Sequence, residues 1–250
     1  MRSFLIAALL YSLTQVAPVA ANDGEVDGWI LSQTVRETGN LQVYVCKSAL
    51  RIYMPKNGLV VLASAPWKEA ALYCTKTGNI YRTKLSDFHN PYIKTMTMFD
   101  GEALCDVEVA LKGTTESVGL PCKYYIEKPG FKQKQLAKKR NGTVTGRAPL
   151  ELKYIVTDEL KLDPHIGQTI SKFYSLPSTD SVPLQFIYIN VVHERDTQLT
   201  TLSCKRAKLR TAQFRVPPGL KAVNEGMSVL VPDRSDGALD LMMMGQSKVK

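Results

Sequence analysis

Short β-prone segments separated by turn signals run through most of this 250-residue chain, and they limit its fold more than any other feature. Residues 41–54 are rich in β-branched and aromatic side chains, an Asn57-Gly58 turn follows, and 59–64 run back. Two such runs around an Asn-Gly turn predict a β-hairpin. Because turn signals recur at short intervals, we predict a meander of antiparallel strands. Further strands are predicted at 67–74, 80–88, 105–112, 122–127, 150–157, 182–192 and 197–216.

One segment has a helical pattern instead. Residues 163–177 place Ile166, Ile170 and either Phe173 or Tyr174 at helical spacing, with Asp163 as the cap and Pro164 in the first turn. A long sheet with so little helix must curl to bury its apolar face. The predicted fold class is therefore mainly β with few helices: a single curled antiparallel sheet, or half-barrel, with a short helical lid. Such a sheet encloses either an apolar cavity or an interior filled by side chains.

The N-terminus has the layout of a cleavable secretory signal. Arg2 precedes an apolar run, and small residues lead to a predicted cut between Ala21 and Asn22. We therefore expect a secreted or periplasmic protein with one β-rich domain over residues 22–250, ending in a C-terminal segment at 225–250. The formal net charge of the whole chain is +9. A basic exported protein can meet anionic lipid, polysaccharide or nucleic acid.

Much of the positive charge lies in residues 128–146, which we predict to be a solvated basic loop. The alternative is contact with an anionic membrane surface through Lys128–Arg140. Nucleic-acid binding is not expected, because Phe131 is the one aromatic residue of this cluster and stacking platforms need several.

The chain has five cysteines, and an oxidising compartment favours pairing of some of them. If residues 112–115 form the turn of a hairpin, Cys105 and Cys122 face each other within bridging range, and we predict that disulfide. Cys46, Cys74 and Cys204 cannot be assigned from the sequence. The spacings contain no C-x-x-C pair, so neither a zinc site nor any other metal or cofactor is predicted.

No catalytic signature stands out in the sequence. There is no G-x-S-x-G elbow, no H-E-x-x-H run and no glycine-rich phosphate loop. The carboxylate pairs Asp106/Glu108 and Asp158/Glu159 read as solvated strand ends rather than acid–base pairs. We therefore predict a protein that is not an enzyme, with an unrecognised hydrolase as the least favoured alternative.

Two stretches carry a family resemblance. Residues 170–186 and 200–223 place Pro183-Leu184 and then Phe214-x-Val216-Pro217-x-Gly219-Leu220 in succession, and 49–88 contain a strand led by Arg51 and another opened by Pro66-Trp67. In this order the segments resemble the LolA-like, outer-membrane lipoprotein-carrier superfamily and its uncharacterised relatives. The resemblance covers about two thirds of the mature chain, in pieces.

The resemblance implies a half-barrel whose concave face binds lipid chains beneath a helical lid. It predicts an exported protein that binds a lipid or other apolar ligand, and that carries lipid or lipidated cargo. The alternative is an envelope structural or interaction module with a filled interior. Burial of each methylene contributes about 0.8 kcal/mol to binding an acyl chain. The candidate ligand-binding residues, taken from the central strands, are Val60, Leu62, Leu184, Phe186 and Tyr188.

Overall fold

The computed structural model describes residues 24–36, 38–92, 104–144 and 146–232, which form one twelve-stranded sheet. Its order is β12-β6-β5-β4-β3-β2-β1-β11-β10-β9-β8-β7, and every pairing is antiparallel except β12 on β6. The sheet is curled and unclosed, which confirms the predicted fold class. The strands are β1 Glu25–Val35, β2 Gly39–Cys46, β3 Ala49–Met54, β4 Leu59–Ser64, β5 Glu69–Cys74, β6 Asn79–Lys84, β7 Val109–Ser117, β8 Leu120–Glu127, β9 Pro149–Thr157, β10 Val182–Asn190, β11 Arg195–Arg210 and β12 Lys221–Ala222.

The two longest predicted strands do not run as predicted. The segment 41–54 is two strands, β2 and β3, joined by a turn at Lys47-Ser48. The run predicted to reach Val216 ends at Arg210, where a 3₁₀ helix, Thr211–Phe214, begins. The Asn57-Gly58 turn is confirmed: Asn57 Oδ1 accepts from Leu59 N at 3.2 Å, and Gly58 adopts a φ of 74°.

Two α-helices accompany the described part of the sheet: α1, Phe131–Arg140, and α2, Pro164–Tyr174. Helix α2 confirms the predicted lid, because Asp163 caps it by accepting from His165 N at 3.0 Å and Pro164 opens its first turn. The expected basic loop at 128–146 is wrong over α1. Its Lys, Gln, Leu, Ala and Arg residues are all good helix formers, so local preference favours the helix.

The concave face of the sheet carries the main core. Leu184 and Phe186 of β10 pack there with Ile166, Ile170 and Phe173 of α2. A second cluster, Val60, Leu62, Ala71, Tyr73 and Ile80, lies on the opposite face of β4–β6, beneath Val216 and Leu220. The run after β11 therefore crosses the convex face, and we call residues 211–223 the strap. Strands β4 and β5 are consequently buried on both faces.

The β7–β8 hairpin corrects the predicted disulfide. Its turn lies at Val118-Gly119, not at 112–115, and Cys122 pairs with Thr115 across the ladder. Cys105 lies before β7, in a 3₁₀ helix, Leu104–Asp106, so it never enters the hairpin. All five cysteines have free thiols. The turn is displaced because Lys112-Gly113 forms a bulge within β7.

Candidate functional site

The space beneath α2 is the site that the family resemblance predicts, and side chains fill it. Leu184, Phe186 and Tyr188 project from β10 toward the concave face, as expected for residues two apart. Leu184 and Phe186 are fully buried. The Phe186 ring meets Tyr154 edge-on, with the ring centroids 5.4 Å apart. These three candidate residues are therefore part of the hydrophobic core as the chain stands.

The other two candidates, Val60 and Leu62, lie on the opposite face of the sheet. Their neighbours Leu59 and Val61 face the concave core instead. Side chains alternate along a strand, so choosing one residue fixes the face of all the others. The structure therefore does not bring the five predicted residues together. Leu62 lines a surface groove of about 380 Å³ between β4–β5 and Phe214 and Val216 of the strap.

Buried hydrogen bonds hold the C-terminal end of α2 to the sheet. Tyr174 donates to Gln33 Oε1 at 2.6 Å, and Gln33 Nε2 donates to Thr201 Oγ1 and to the carbonyl of Pro183, each at 2.9 Å. Burial raises the pKa of Tyr174 well above its usual range, so this hydroxyl stays protonated and donating. Removing one of these partners would leave another buried polar group unsatisfied, which lowers the free energy of unfolding by about 1–3 kcal/mol.

The N-terminal end of α2 is held by a more exposed cluster. Asp163 accepts from Trp67 Nε1 at 3.0 Å and contacts His165 Nδ1 at 2.7 Å. The rings of Trp67 and His165 stack on each other, with their centroids 5.6 Å apart. Burial raises the pKa of Asp163, but the hydrogen bonds from His165 and Trp67 outweigh it, so that pKa lies below its usual range. Lys172 Nζ also donates to the Leu85 and Ser86 carbonyls, each at 2.9 Å.

Close packing adds a third restraint on α2. A Cβ at Gly167 would lie 2.4 Å from the carbonyl oxygen of Ser181, the residue before β10, so only glycine permits this approach of the helix to the chain there. Gln33, Thr201 and Gly167 were not singled out by the sequence analysis, and Tyr174 was considered there as an apolar helix residue and not as a hydrogen-bond donor. Their roles come from contacts between residues far apart in the chain, which no local pattern records.

A second surface worth considering is basic. Helix α1 packs on β9 with Gln135 buried and Leu136 partly buried, while Lys132, Lys134, Lys139 and Arg140 are exposed. The first turn of α1 has no acidic residue, and its last turn contains three basic ones. The chain after β10 meets this helix, because Lys139 Nζ donates to the Val191 carbonyl at 2.5 Å.

Neither a metal-binding cluster nor a membrane-spanning helix is found among the described residues. No group of three or more His, Cys, Asp and Glu there is placed to hold a metal ion. No helix in the same part of the chain is long and apolar enough to cross a bilayer. The predicted signal segment, residues 1–21, lies outside the described residues.

No protein-family model matches the sequence, and no curated protein is similar to it in sequence. Solved structures give low-identity similarities. An uncharacterized conserved protein from Thermus thermophilus is 14% identical, and the match covers 79% of this chain and 90% of that one at a TM-score of 0.43. MucB in complex with MucA(peri) is 8% identical, with 81% of this chain covering 57% of that one at a TM-score of 0.38.

The complex of Pseudomonas aeruginosa MucA and MucB is similar at 9% identity, with 79% of this chain covering 58% of that one and a TM-score of 0.40. This chain thus spans less than two thirds of the chains in the MucB structures. Similarities at this level assign neither a family nor a partner to the protein, and membership of the LolA-like superfamily stays a prediction.

Proposed function

We propose that the protein is an exported, non-enzymatic interaction module that docks on an anionic membrane surface through α1 and its flanking residues. The observation that carries this proposal is the density of positive charge on the outside of a filled half-barrel. We call residues 128–147 the basic surface. They include seven Lys and Arg residues and no Asp or Glu: Lys128, Lys132, Lys134, Lys138, Lys139, Arg140 and Arg147.

Acidic side chains outside the basic surface neutralise only part of this charge. Lys128 pairs with Glu108 at 2.9 Å, and Lys132 pairs with Glu151. Both pairs are exposed and therefore weak. The basic surface keeps a net positive charge, and each basic residue near an anionic leaflet contributes about 1 kcal/mol of attraction.

An exposed apolar residue lies beside the basic surface. Val192 is 46% exposed in the turn after β10, and its Cγ1 lies 3.4 Å from the position of a Cβ on Gly146. A small apolar tip among basic residues suits the boundary between headgroups and acyl chains. Phe131, the one aromatic residue of the basic surface, packs against the core instead of offering a stacking face, which favours lipid over nucleic acid.

Vesicle co-sedimentation tests this proposal. We expect binding to vesicles of equal parts phosphatidylglycerol and phosphatidylcholine, no binding to phosphatidylcholine alone, and loss of binding as salt is raised. The double variant Lys134→Gln, Arg140→Gln should bind about 30-fold more weakly, at about 1 kcal/mol per charge. The matched control Lys47→Gln, Lys56→Gln removes two exposed charges from turns elsewhere and should change binding less than twofold. Equal losses in both variants would contradict a localised surface.

The second candidate is the binding of an acyl chain between α2 and the sheet. The observation that favours it is that, within the described ranges, α2 is the α-helix that covers the apolar concave face of an unclosed sheet, so displacement of α2 would expose Leu184 and Phe186. This function requires the hydrogen bonds of Tyr174 and Asp163 to break. Acyl chains detected by mass spectrometry in extracts of natively purified protein, together with saturable binding of a hydrophobic dye, would support it. Empty extracts and no dye binding would exclude it.

A further inference from the structure

Strand β7 forms one edge of the sheet, and no described residue pairs with its outer side. The strand is nine residues long, contains no proline and carries exposed side chains at Leu111, Lys112, Thr114 and Glu116. An edge strand of this length offers a row of unpaired backbone N–H and C=O groups to another strand. We propose that a second copy of this chain pairs with β7, antiparallel and centred on Thr114.

The hydrogen-bond pattern of β8 identifies which backbone groups of β7 point outward. Pro121 has no N–H, and its carbonyl accepts from Thr157 Oγ1 at 2.9 Å, so its backbone faces β9. Glu116, which pairs with Pro121, is therefore at a non-hydrogen-bonded position of the β7–β8 ladder. Its N–H and C=O point away from β8. The same holds two residues earlier, at Thr114.

Antiparallel pairing of two copies about a two-fold axis must place outward-pointing residues opposite each other. A centre at Thr114 satisfies this condition, because each Thr114 exchanges both hydrogen bonds with its counterpart. This register also brings Lys112, at the bulge of β7, next to the partner's Glu116, and by symmetry Glu116 next to the partner's Lys112. Both side chains are exposed, and opposite charges on neighbouring strands attract, so both pairs favour association.

Charge complementarity therefore selects a second copy as the occupant of this edge. Neither Lys112 nor Glu116 forms an ion pair with any residue in the described ranges, so both are available to a partner strand. The contact joins two twelve-stranded sheets by one pair of strands. Because its area is small, the dimer is expected to be reversible and to depend on protein concentration.

Sedimentation velocity over a concentration series tests the proposal. We expect a monomer–dimer equilibrium in the wild-type protein. Thr114→Pro removes an outward N–H without touching the β8 ladder, so it should abolish the dimer while the monomer stays folded. A wild-type protein that is monomeric at every concentration overturns the proposal, as does a dimer that Thr114→Pro leaves unchanged.

Charge exchange tests the register. Lys112→Glu and Glu116→Lys should each lower the association constant about tenfold, since two attractive pairs become repulsive. Mixing these two variants should restore association, because the new glutamate of the first variant then faces the new lysine of the second. The double variant Lys112→Glu, Glu116→Lys should associate like the wild type. A wild-type dimer with no recovery in the mixture would overturn the Thr114-centred pairing, and vesicle binding through the basic surface is measured independently of both results.

Discussion

The two edges of the sheet are finished in opposite ways. Strand β6 is covered: Lys221 N and Val223 N donate to the carbonyls of Gly78 and Ile80 at 2.8 Å, and the 3₁₀ helix Gly226–Leu230 packs beside it. Strand β7 has no such cover from the described residues, and a bulge and exposed charges are what distinguish it from a regular strand. One edge is closed by the chain's own C-terminal region, whereas the other can accept a strand from outside.

The difference shows two ways in which this chain limits uncontrolled strand pairing. Exposed edges invite aggregation, and natural sheets manage them with charges, bulges or covering segments. At β6 the chain uses the residues from 215 to 232 as cover. At β7 it uses Lys112, Glu116 and the bulge, which discourage random partners but admit one with matching charges. A controlled self-association requires a strand that repels mismatched partner strands and attracts the matching one.

The sharpest way to break the comparison is a matched pair of substitutions to aspartate. Val229 is fully buried and anchors the cover of the β6 edge, so Val229→Asp should lower the free energy of unfolding by about 3–5 kcal/mol, as for other unpaired buried charges. Thr114→Asp on exposed β7 should change it by about 0.5 kcal/mol or less. Urea denaturation measures both. A comparable loss at Thr114 would mean that the β7 edge is also covered.

A smaller effect is expected from the polar anchor of the same cover. Asn79 Nδ2 donates to the carbonyls of Ser228 and Val231, at 3.2 and 2.9 Å. Asn79→Ala should destabilise the protein by about 1–3 kcal/mol, because it leaves those carbonyls without this donor. Amide hydrogen exchange should accelerate in residues 225–231 and stay unchanged in β8. Uniform acceleration across the sheet would show that the cover is not a separate unit.

The smallest expected effect is a pH dependence near the β7 edge. Burial raises the pKa of Asp158, but hydrogen bonds from Lys123 of β8 and from Ser181 outweigh it, so that pKa lies below its usual range. The resulting stabilisation is present above the unfolded-state value of about 3.9 and is lost as the pH falls through the lower folded value. Since the pair with Lys123 is nearly half exposed, it is worth about 1 kcal/mol or less.

Asp158→Asn should therefore be slightly less stable than the wild type at pH 7, and equally stable once the pH lies below both values. Parallel urea titrations at neutral and acidic pH measure this difference. A gap that persists unchanged in acid would assign the loss to packing rather than to the carboxylate.

Local features of the fold could be predicted from the sequence. Helix α2 and the hairpin at Asn57-Gly58 were predictable because a cap, a proline and a two-residue turn act over a few residues. The β7–β8 turn was not. Lys112-Gly113 has the composition of a turn, but Gly113 occupies a bulge where a Cβ would lie 3.0 Å from the Tyr124 ring. The true turn is made by Val118 and Gly119, both with positive φ.

The candidate site was harder to predict for two physical reasons. A strand that is apolar on both faces, such as β4, gives no signal for which side meets the concave core, so Val60 and Leu62 were assigned to the wrong face. The buried hydrogen bonds that hold α2 depend on β1, whose mixture of Gly, Gln and Thr with apolar residues does not identify a strand. Whether the interior is open or filled depends on which strand face points inward and on how α2 is held.

The position of β1 has a consequence for how the chain reaches its final state. The first strand lies between β2 and β11, so Gln33 meets Thr201, which is 168 positions later. Contacts this distant close late, because the intervening loop must lose its entropy first. During synthesis, which begins at the N-terminus, one side of β1 and the outer edge of β6 keep unpaired backbone groups until β11 and the strap have been made. Resistance to proteolysis should therefore appear in one step, after synthesis of the last strand, and not gradually along the chain.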